Sequence, residues 1–136
     1  MYKFVWTWRL SNFVIDFINM KKVYLLSSCS TCQRILKEIN EPNFVLQDIK
    51  TEAISEAQLE EMYKLTSSYE ALFSKRAMKY KSMGLKDENL QEEDFKNLIL
   101  EEYTFLRRPV FIINDEVYVG NSKNVVEAVK NILANE

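Results

Sequence analysis

The stretch from Lys22 to Ile49 constrains the fold more than any other. It opens with Lys22–Ser27 (KVYLLS), an apolar run rich in strand formers, which predicts a buried strand. Cys32, Ile35, Leu36 and Ile39 follow at i, i+3, i+4 and i+7 spacing. That pattern predicts the apolar face of a helix from about Ser30 to Asn40, with Pro42 as its stop. Asn43–Ile49 (NFVLQDI) reads as a second strand. Strand, helix and strand within about 28 residues point to a βαβ unit with a parallel pair.

The middle of the chain reads as helical. Ser55-x-x-Gln58 has the form of a capping box opening a helix over 56–65. A short helix is expected over 69–75, and Gly84 is expected to stop a helix. Asn89-x-x-Glu92 predicts the cap of the next helix, whose face carries Phe95, Leu98, Ile99 and Tyr103. The period then changes. Val110–Ile113 and Val117–Val119 are strand-like and flank Asn114-Asp115-Glu116, a hairpin signal without the favoured Asn-Gly pair. Ser122 is placed to cap a last helix bearing Val125, Val126, Val129, Ile132 and Leu133 on one face. The order β-α-β, helices, β-β-α defines an α/β domain with a mixed sheet over residues 20–136.

Residues 1–19 are rich in aromatics, and Trp6, Leu10, Phe13, Val14, Phe17 and Ile18 fall at helical spacing. Arg9, Asn12 and Asp16 break the apolar run, which has neither the form of a secretory signal nor the ~20 apolar residues of a membrane span. The segment is expected to be an extension upstream of a domain that begins near Met20.

The chain has 136 residues, 18 basic against 20 acidic, and a net charge of −2. No global field favours nucleic acid or an anionic membrane, and no nucleic-acid motif or phosphate-binding glycine loop is present. Direct nucleic-acid binding and membrane association are therefore not expected. Histidine is absent, which removes the usual general base and the commonest zinc ligand. The two cysteines are too few for a zinc site or a secreted disulfide framework. Neither a metal nor a cofactor is called for. A Cys-x-x-Cys pair in such a chain points to thiol redox chemistry and a cytoplasmic setting.

The pair is Cys29-Ser30-Thr31-Cys32, and Cys29 falls where the predicted strand hands over to the predicted helix. Unpaired N–H groups and the helix dipole at that point favour a thiolate. A free thiol with a pKa of ~8.5 is only ~3% ionised at pH 7, and a drop of ~1.5 units costs ~2 kcal/mol. The dipole supplies ~0.3–1 kcal/mol at exposed sites and up to ~2 in favourable ones. Direct hydrogen bonds to sulfur must supply any remainder. Cys32, one turn later, lies on the apolar face and is expected to be the more buried sulfur. Cys29 is thus the expected nucleophile and Cys32 the resolving cysteine.

Arg107-Arg108-Pro109 precedes Val110. Proline suits a strand start, and an X-Pro bond there can be cis. Arg108 either faces the cysteines and stabilises a thiolate or an oxyanion, or belongs to a solvated Arg-Arg pair. Lys75-Arg76, Lys79 and Lys81 form a second basic segment, read as a solvated helix face.

Four stretches together resemble the arsenate reductase-like branch of the thioredoxin superfamily, which includes the Spx regulators. They are Val23-Tyr24-Leu25 through Cys29-Ser30-Thr31-Cys32-Gln33-Arg34; Ala71-Leu72-Phe73-Ser74-Lys75-Arg76 with Tyr80 to Leu85; Glu101-Glu102-Tyr103 through Arg107-Arg108-Pro109-Val110; and Val119-Gly120-Asn121-Ser122. They occur in family order across residues 22–134. The resemblance implies a thioredoxin-like fold with a helical insertion between the second strand and the final β-β-α. It implies a nucleophilic Cys29, a substrate-facing and often cis Arg108-Pro109 step, and a site role for Arg76. It also implies reduction of arsenate or another oxidised substrate, with thioredoxin or glutaredoxin as the recycling dithiol. Glutaredoxin-coupled arsenate reductases typically lack a cysteine at the position of Cys32. They carry an arginine nearer the position of Ser74, and another in the last hairpin where this chain has Gly120 and Asn121. The Cys-x-x-Cys form is closer to Spx, in which the pair is a redox switch and the RNA polymerase α subunit is the partner.

Overall fold

In the computed structural model, residues 20–136 are described. The expected extension over 1–19, with its helical spacing, lies outside them. Four strands form one mixed sheet in the order β2-β1-β3-β4, namely β1 (Lys21–Leu25), β2 (Val45–Asp48), β3 (Val110–Ile113) and β4 (Glu116–Val119). β1 pairs parallel with β2 and antiparallel with β3, and β3 pairs antiparallel with β4. The helices are α1 (Ser30–Ile39), α2 (Glu56–Thr66), α3 (Tyr69–Leu72), α4 (Met78–Ser82), α5 (Glu92–Glu101) and α6 (Lys123–Ala134). Two single 3₁₀ turns, Leu85–Asp87 and Tyr103–Phe105, complete the element order. The α/β class and the helical insertion between β2 and β3 are those expected.

Both faces of the sheet are covered, which is why β1 and β3 read as unbroken apolar runs rather than alternating ones. Val23 and Leu25 of β1, with Phe111 and Ile113 of β3, pack with Cys32, Ile35, Val126 and Val129 of α1 and α6. Tyr24, Val110 and Ile112 face the other way, onto Leu59, Met62, Leu72, Phe95 and Ile99 of α2, α3 and α5. Successive residues of one strand thus feed two cores.

Several boundaries differ from expectation. β1 ends at Leu25, because Leu26 turns the chain and its carbonyl accepts the Cys29 N–H at 3.0 Å. α1 ends at Ile39, three residues before Pro42. Asn40 takes the left-handed conformation (φ 53°) and donates its N–H to the Leu36 carbonyl, so an αL cap stops the helix. β2 is shorter than 43–49, although Phe44 and Ile49 at its ends are buried.

The expected helix over 69–75 stops at Leu72. Phe73 is extended and forms a bridge with Leu106, with Ser74 N–H donating to the Phe105 carbonyl at 2.7 Å and Arg107 N–H to the Leu72 carbonyl at 2.8 Å. The ring of Phe73 meets Phe95 and Phe105, each at 4.9 Å between centroids, so tertiary packing outweighs helix continuation. Asn89 is not the cap of α5. Gln91 is, its N–H donating to Asp94 at 2.8 Å. Glu92 instead caps α3, accepting the N–H groups of Tyr69 and Glu70, each at 3.0 Å.

The Ser55/Gln58 capping box and the Ser122 cap are present as read. Gly84 (φ 66°) follows α4 and donates to the Lys81 carbonyl. The hairpin turn is Asn114-Asp115, with Asn114 (φ 58°) serving where glycine is usual.

Phe111 lies at the centre of the α1/α6 face and is fully buried. Phe111→Ala is expected to cost ~3–5 kcal/mol, seen as a lower urea midpoint with an unchanged m value.

Candidate functional site

Cys29 is the N-cap residue of α1, with extended φ/ψ of −84° and 114°. The chain reaches it because β1 ends inside the sheet and the loop 26–28 is tied down. Ser27 donates its hydroxyl to the Asp48 carboxylate at the end of β2, and the Gln33 side chain donates to the Ser27 carbonyl. The Cys29 carbonyl starts the helix by accepting the Gln33 N–H at 3.1 Å.

The two sulfurs have opposite environments. Cys29 is half-buried, and the Sγ makes no capping hydrogen bond of ordinary geometry. Burial works against its ionisation. The N–H and thiol of Cys32, the N–H of Thr31 and the Arg108 charge outweigh that effect and hold the Cys29 thiol below its ordinary value. Cys32 is buried at 1% exposure. Burial pushes its thiol up to about 11, and contact with the Cys29 sulfur adds to the rise. The N–H groups near the sulfur and one guanidinium therefore add to what the dipole supplies.

An open cleft of about 700 Å³ exposes Cys29, and Arg76 and Arg108 line it too. The Phe73–Leu106 bridge is what brings them together. It lays residues 72–74 beside 105–107, so the start of the basic 75–76 segment faces the Arg107-Arg108 pair. Arg76 is thus at the cleft rather than on a purely solvated helix face. Arg108 Nη1 is buried and has no hydrogen-bond partner among the described residues. The Arg108-Pro109 peptide is cis, and the Pro109 carbonyl accepts the Gly120 N–H at 2.8 Å. Pro109 is buried and stands at the foot of β3 rather than among the cleft-lining groups. Lys79 lies away from the cleft, paired with Glu102.

Thr31, Ser68, Glu70, Lys75, Arg107, Asn121 and Ser122 also line the cleft, beyond the site residues expected from the sequence. Adjacency to Arg108 was a signal for Arg107. Nothing local marks Ser68 or Glu70, which arrive through the placement of α3. Among the described residues no cluster of three or more His, Cys, Asp or Glu side chains is suited to a metal, and no helix is long and apolar enough to cross a membrane.

A mixed sheet covered on both faces, with a cysteine pair at the first turn after its inner strand β1, is a thioredoxin-like fold. Residues 24–129 match the model of the ArsC family, and the chain belongs to that family. It is similar to the global transcriptional regulator Spx of Bacillus subtilis, 26% identical over 110 residues, covering 79% of this chain and 84% of the relative. The Spx of Streptococcus mutans is 24% identical over 112 residues, covering 80% and 82%. Among solved structures, an ArsC family related protein from Bacteroides fragilis superposes with a TM-score of 0.69 at 21% identity, covering 81% of this chain and 98% of that one. An arsenate reductase from Vibrio cholerae gives 0.63 at 21% identity, covering 84% and 99%. These two share the fold.

The Cys32 environment has a consequence for stability. An acid raised on folding stabilises the protein fully below its unfolded value and loses that contribution as the pH rises through its folded value. Cys32 goes from 9.0 to about 11, and burial likewise takes Tyr24 from 10.0 to about 12. Stability of the reduced protein, read by urea unfolding, is expected to fall from pH 9 upward. Cys32→Ala is expected to flatten the part between pH 9 and pH 11, and an unchanged slope in that variant would refute the assignment.

Proposed function

We propose that this protein is a thiol-disulfide redox protein of the ArsC family, with Cys29 as nucleophile and Cys32 as resolving cysteine. The observation that carries this reading is the split between the sulfurs. Cys29 is held toward the thiolate at a helix N-terminus in a cationic cleft, while Cys32 is kept protonated one turn deeper.

The chemistry follows from that split. With an oxyanion such as arsenate, the Cys29 thiolate attacks arsenic and displaces hydroxide, which leaves as water once protonated. Cys32 loses its proton and attacks the Cys29 sulfur, the S–As bond breaks, and its electron pair leaves with arsenic as arsenite. The protein is left as the Cys29–Cys32 disulfide, two electrons having passed to arsenic. With an oxidised thiol as substrate, Cys29 attacks the S–S bond instead and the leaving group is a thiolate. Thioredoxin or glutaredoxin, each a dithiol, restores the pair. Arg108 and Arg76 neutralise the bound anion, and the Arg108-Pro109 step borders the site.

Likeness to the Spx regulators, together with the presence of Cys32, supports a second reading. In it the same disulfide switches affinity for the RNA polymerase α subunit rather than serving turnover. A soluble cytoplasmic setting accords with either.

Purified protein supplied with arsenate and a thioredoxin or glutaredoxin recycling system is expected to turn over. Cys29→Ser is expected to abolish turnover, and Cys32→Ser to accumulate a Cys29 adduct or mixed disulfide by mass spectrometry. Equal turnover by Cys29→Ser would overturn the enzymatic reading. Capture of the α subunit by only one redox form would favour the regulator.

A further inference from the structure

The cleft carries more positive charge than a single thiolate needs. Arg76, Arg107, Arg108 and Lys75 line it, against one carboxylate, Glu70. Glu70 is paired with Lys75 at 2.7 Å, so those two charges cancel locally. None of the three arginines is ion-paired among the described residues, and Arg108 Nη1 is buried without a partner, an arrangement whose cost an anion would relieve.

Arg107 is held in the cleft by local structure. Its N–H donates to the Leu72 carbonyl at 2.8 Å, and its Nη1 approaches the Ala71 carbonyl at 3.4 Å. Its guanidinium lies over Gly120. A Cβ on Gly120 would stand 3.2 Å from Arg107 Nη2, and the φ of 98° at that residue also calls for glycine. The missing side chain of Gly120 gives Arg107 the room to lie there. One weak carbonyl contact leaves most of the five guanidinium N–H donors free. Arg108 is among the main groups that lower the Cys29 thiol, and Arg107 is not one of the largest.

We propose that Arg107 is a specificity-determining anion contact of this cleft, and that the cleft selects ligands bearing two or more negative charges. The proposal rests on the anion-binding, thiol-redox reading above and names the charge class of its ligand. Three unpaired guanidinium groups are poorly matched by a monoanion, which leaves at least two of them uncompensated beside a thiolate that already uses Arg108. A tetrahedral dianion offers several acceptor oxygens to the Arg107 and Arg108 forks at once.

The test is protection of Cys29 from alkylation by iodoacetamide, a neutral reagent that reports the exposed sulfur and spares buried Cys32. Rates are followed in inorganic phosphate or sulfate, against nitrate, at constant ionic strength. Phosphate and sulfate are expected to protect at lower concentration than nitrate. Arg107→Ala, a change at an exposed position, is expected to raise the half-protecting phosphate concentration about tenfold, or ~1.4 kcal/mol. The pH midpoint of Cys29 alkylation without added anion is expected to stay where it is in the parent. Lys75→Gln removes the same unit of positive charge but no ligand contact, since Lys75 is engaged by Glu70, and is expected to raise the half-protecting phosphate concentration by only about two- to threefold through the field alone. Equal losses in Arg107→Ala and Lys75→Gln would overturn the proposal in favour of a diffuse field, and no loss in Arg107→Ala would overturn it outright. Absence of dianion protection in the parent protein would also overturn it. A lowered Cys29 midpoint in that same experiment would leave the nucleophile assignment standing.

Discussion

Strand β1 is hydrogen-bonded on both edges and packed on both faces, and the placement of every reactive group follows from its register. Slipping it by one residue would bring Tyr24 and Leu26 to the face where Val23 and Leu25 now meet α1 and α6. The different volumes of Tyr24 and Val23 make that exchange costly in a close-packed interior. The register therefore determines where the strand ends, how far the loop 26–28 reaches and which residue caps α1. Cys29 occupies the cap because the residues on either side of it are already committed, the strand to two cores and the helix to one.

The same constraint separates the sulfurs. A cap residue sits at the rim of the sheet, where N–H groups converge and solvent still reaches. A residue three positions later has completed most of a helical turn and points back to the strand. Cys29 and Cys32 therefore differ by burial and by hydrogen bonding, although they differ by only three positions in sequence. The N–H groups of Thr31 and Cys32 and the charge of Arg108 favour negative charge at the outer sulfur, while the apolar packing around Val23, Ile35 and Phe111 opposes it at the inner one.

Opposite Cys29, the cationic wall depends on a local failure of helix propensity. Residues 73–75 were expected to continue a helix, and Phe73 instead joins an aromatic cluster with Phe95 and Phe105. Extended backbone at Phe73 pairs with Leu106 and draws the two basic segments together. Glu92 supports this from α5 by capping α3, a role opposite to the one its position after Asn89 suggested. The cleft is thus assembled from four separate stretches of chain, with Gly120 at the back leaving room for Arg107.

Much of the fold was legible in the chain because its signals are local. Periodicity gave the four strands and the long helices to within a few residues, and Ser55, Gln58 and Ser122 marked their helices through contacts spanning three residues. The Cys29–Cys32 spacing set the division between outer and inner sulfur, since helical geometry alone puts them on different levels. Arg108 could be named from its place before Pro109, but not aimed, because a side chain's direction at a strand start depends on what packs beside it. The sequence allows two readings of Arg76, and marks Arg107 only as half of a solvated pair. Their convergence on one cleft is decided by the Phe73–Leu106 bridge, which joins residues more than thirty positions apart. A pairing at that distance is governed by which aromatic surfaces can be buried together, and that becomes defined only when the whole core has closed.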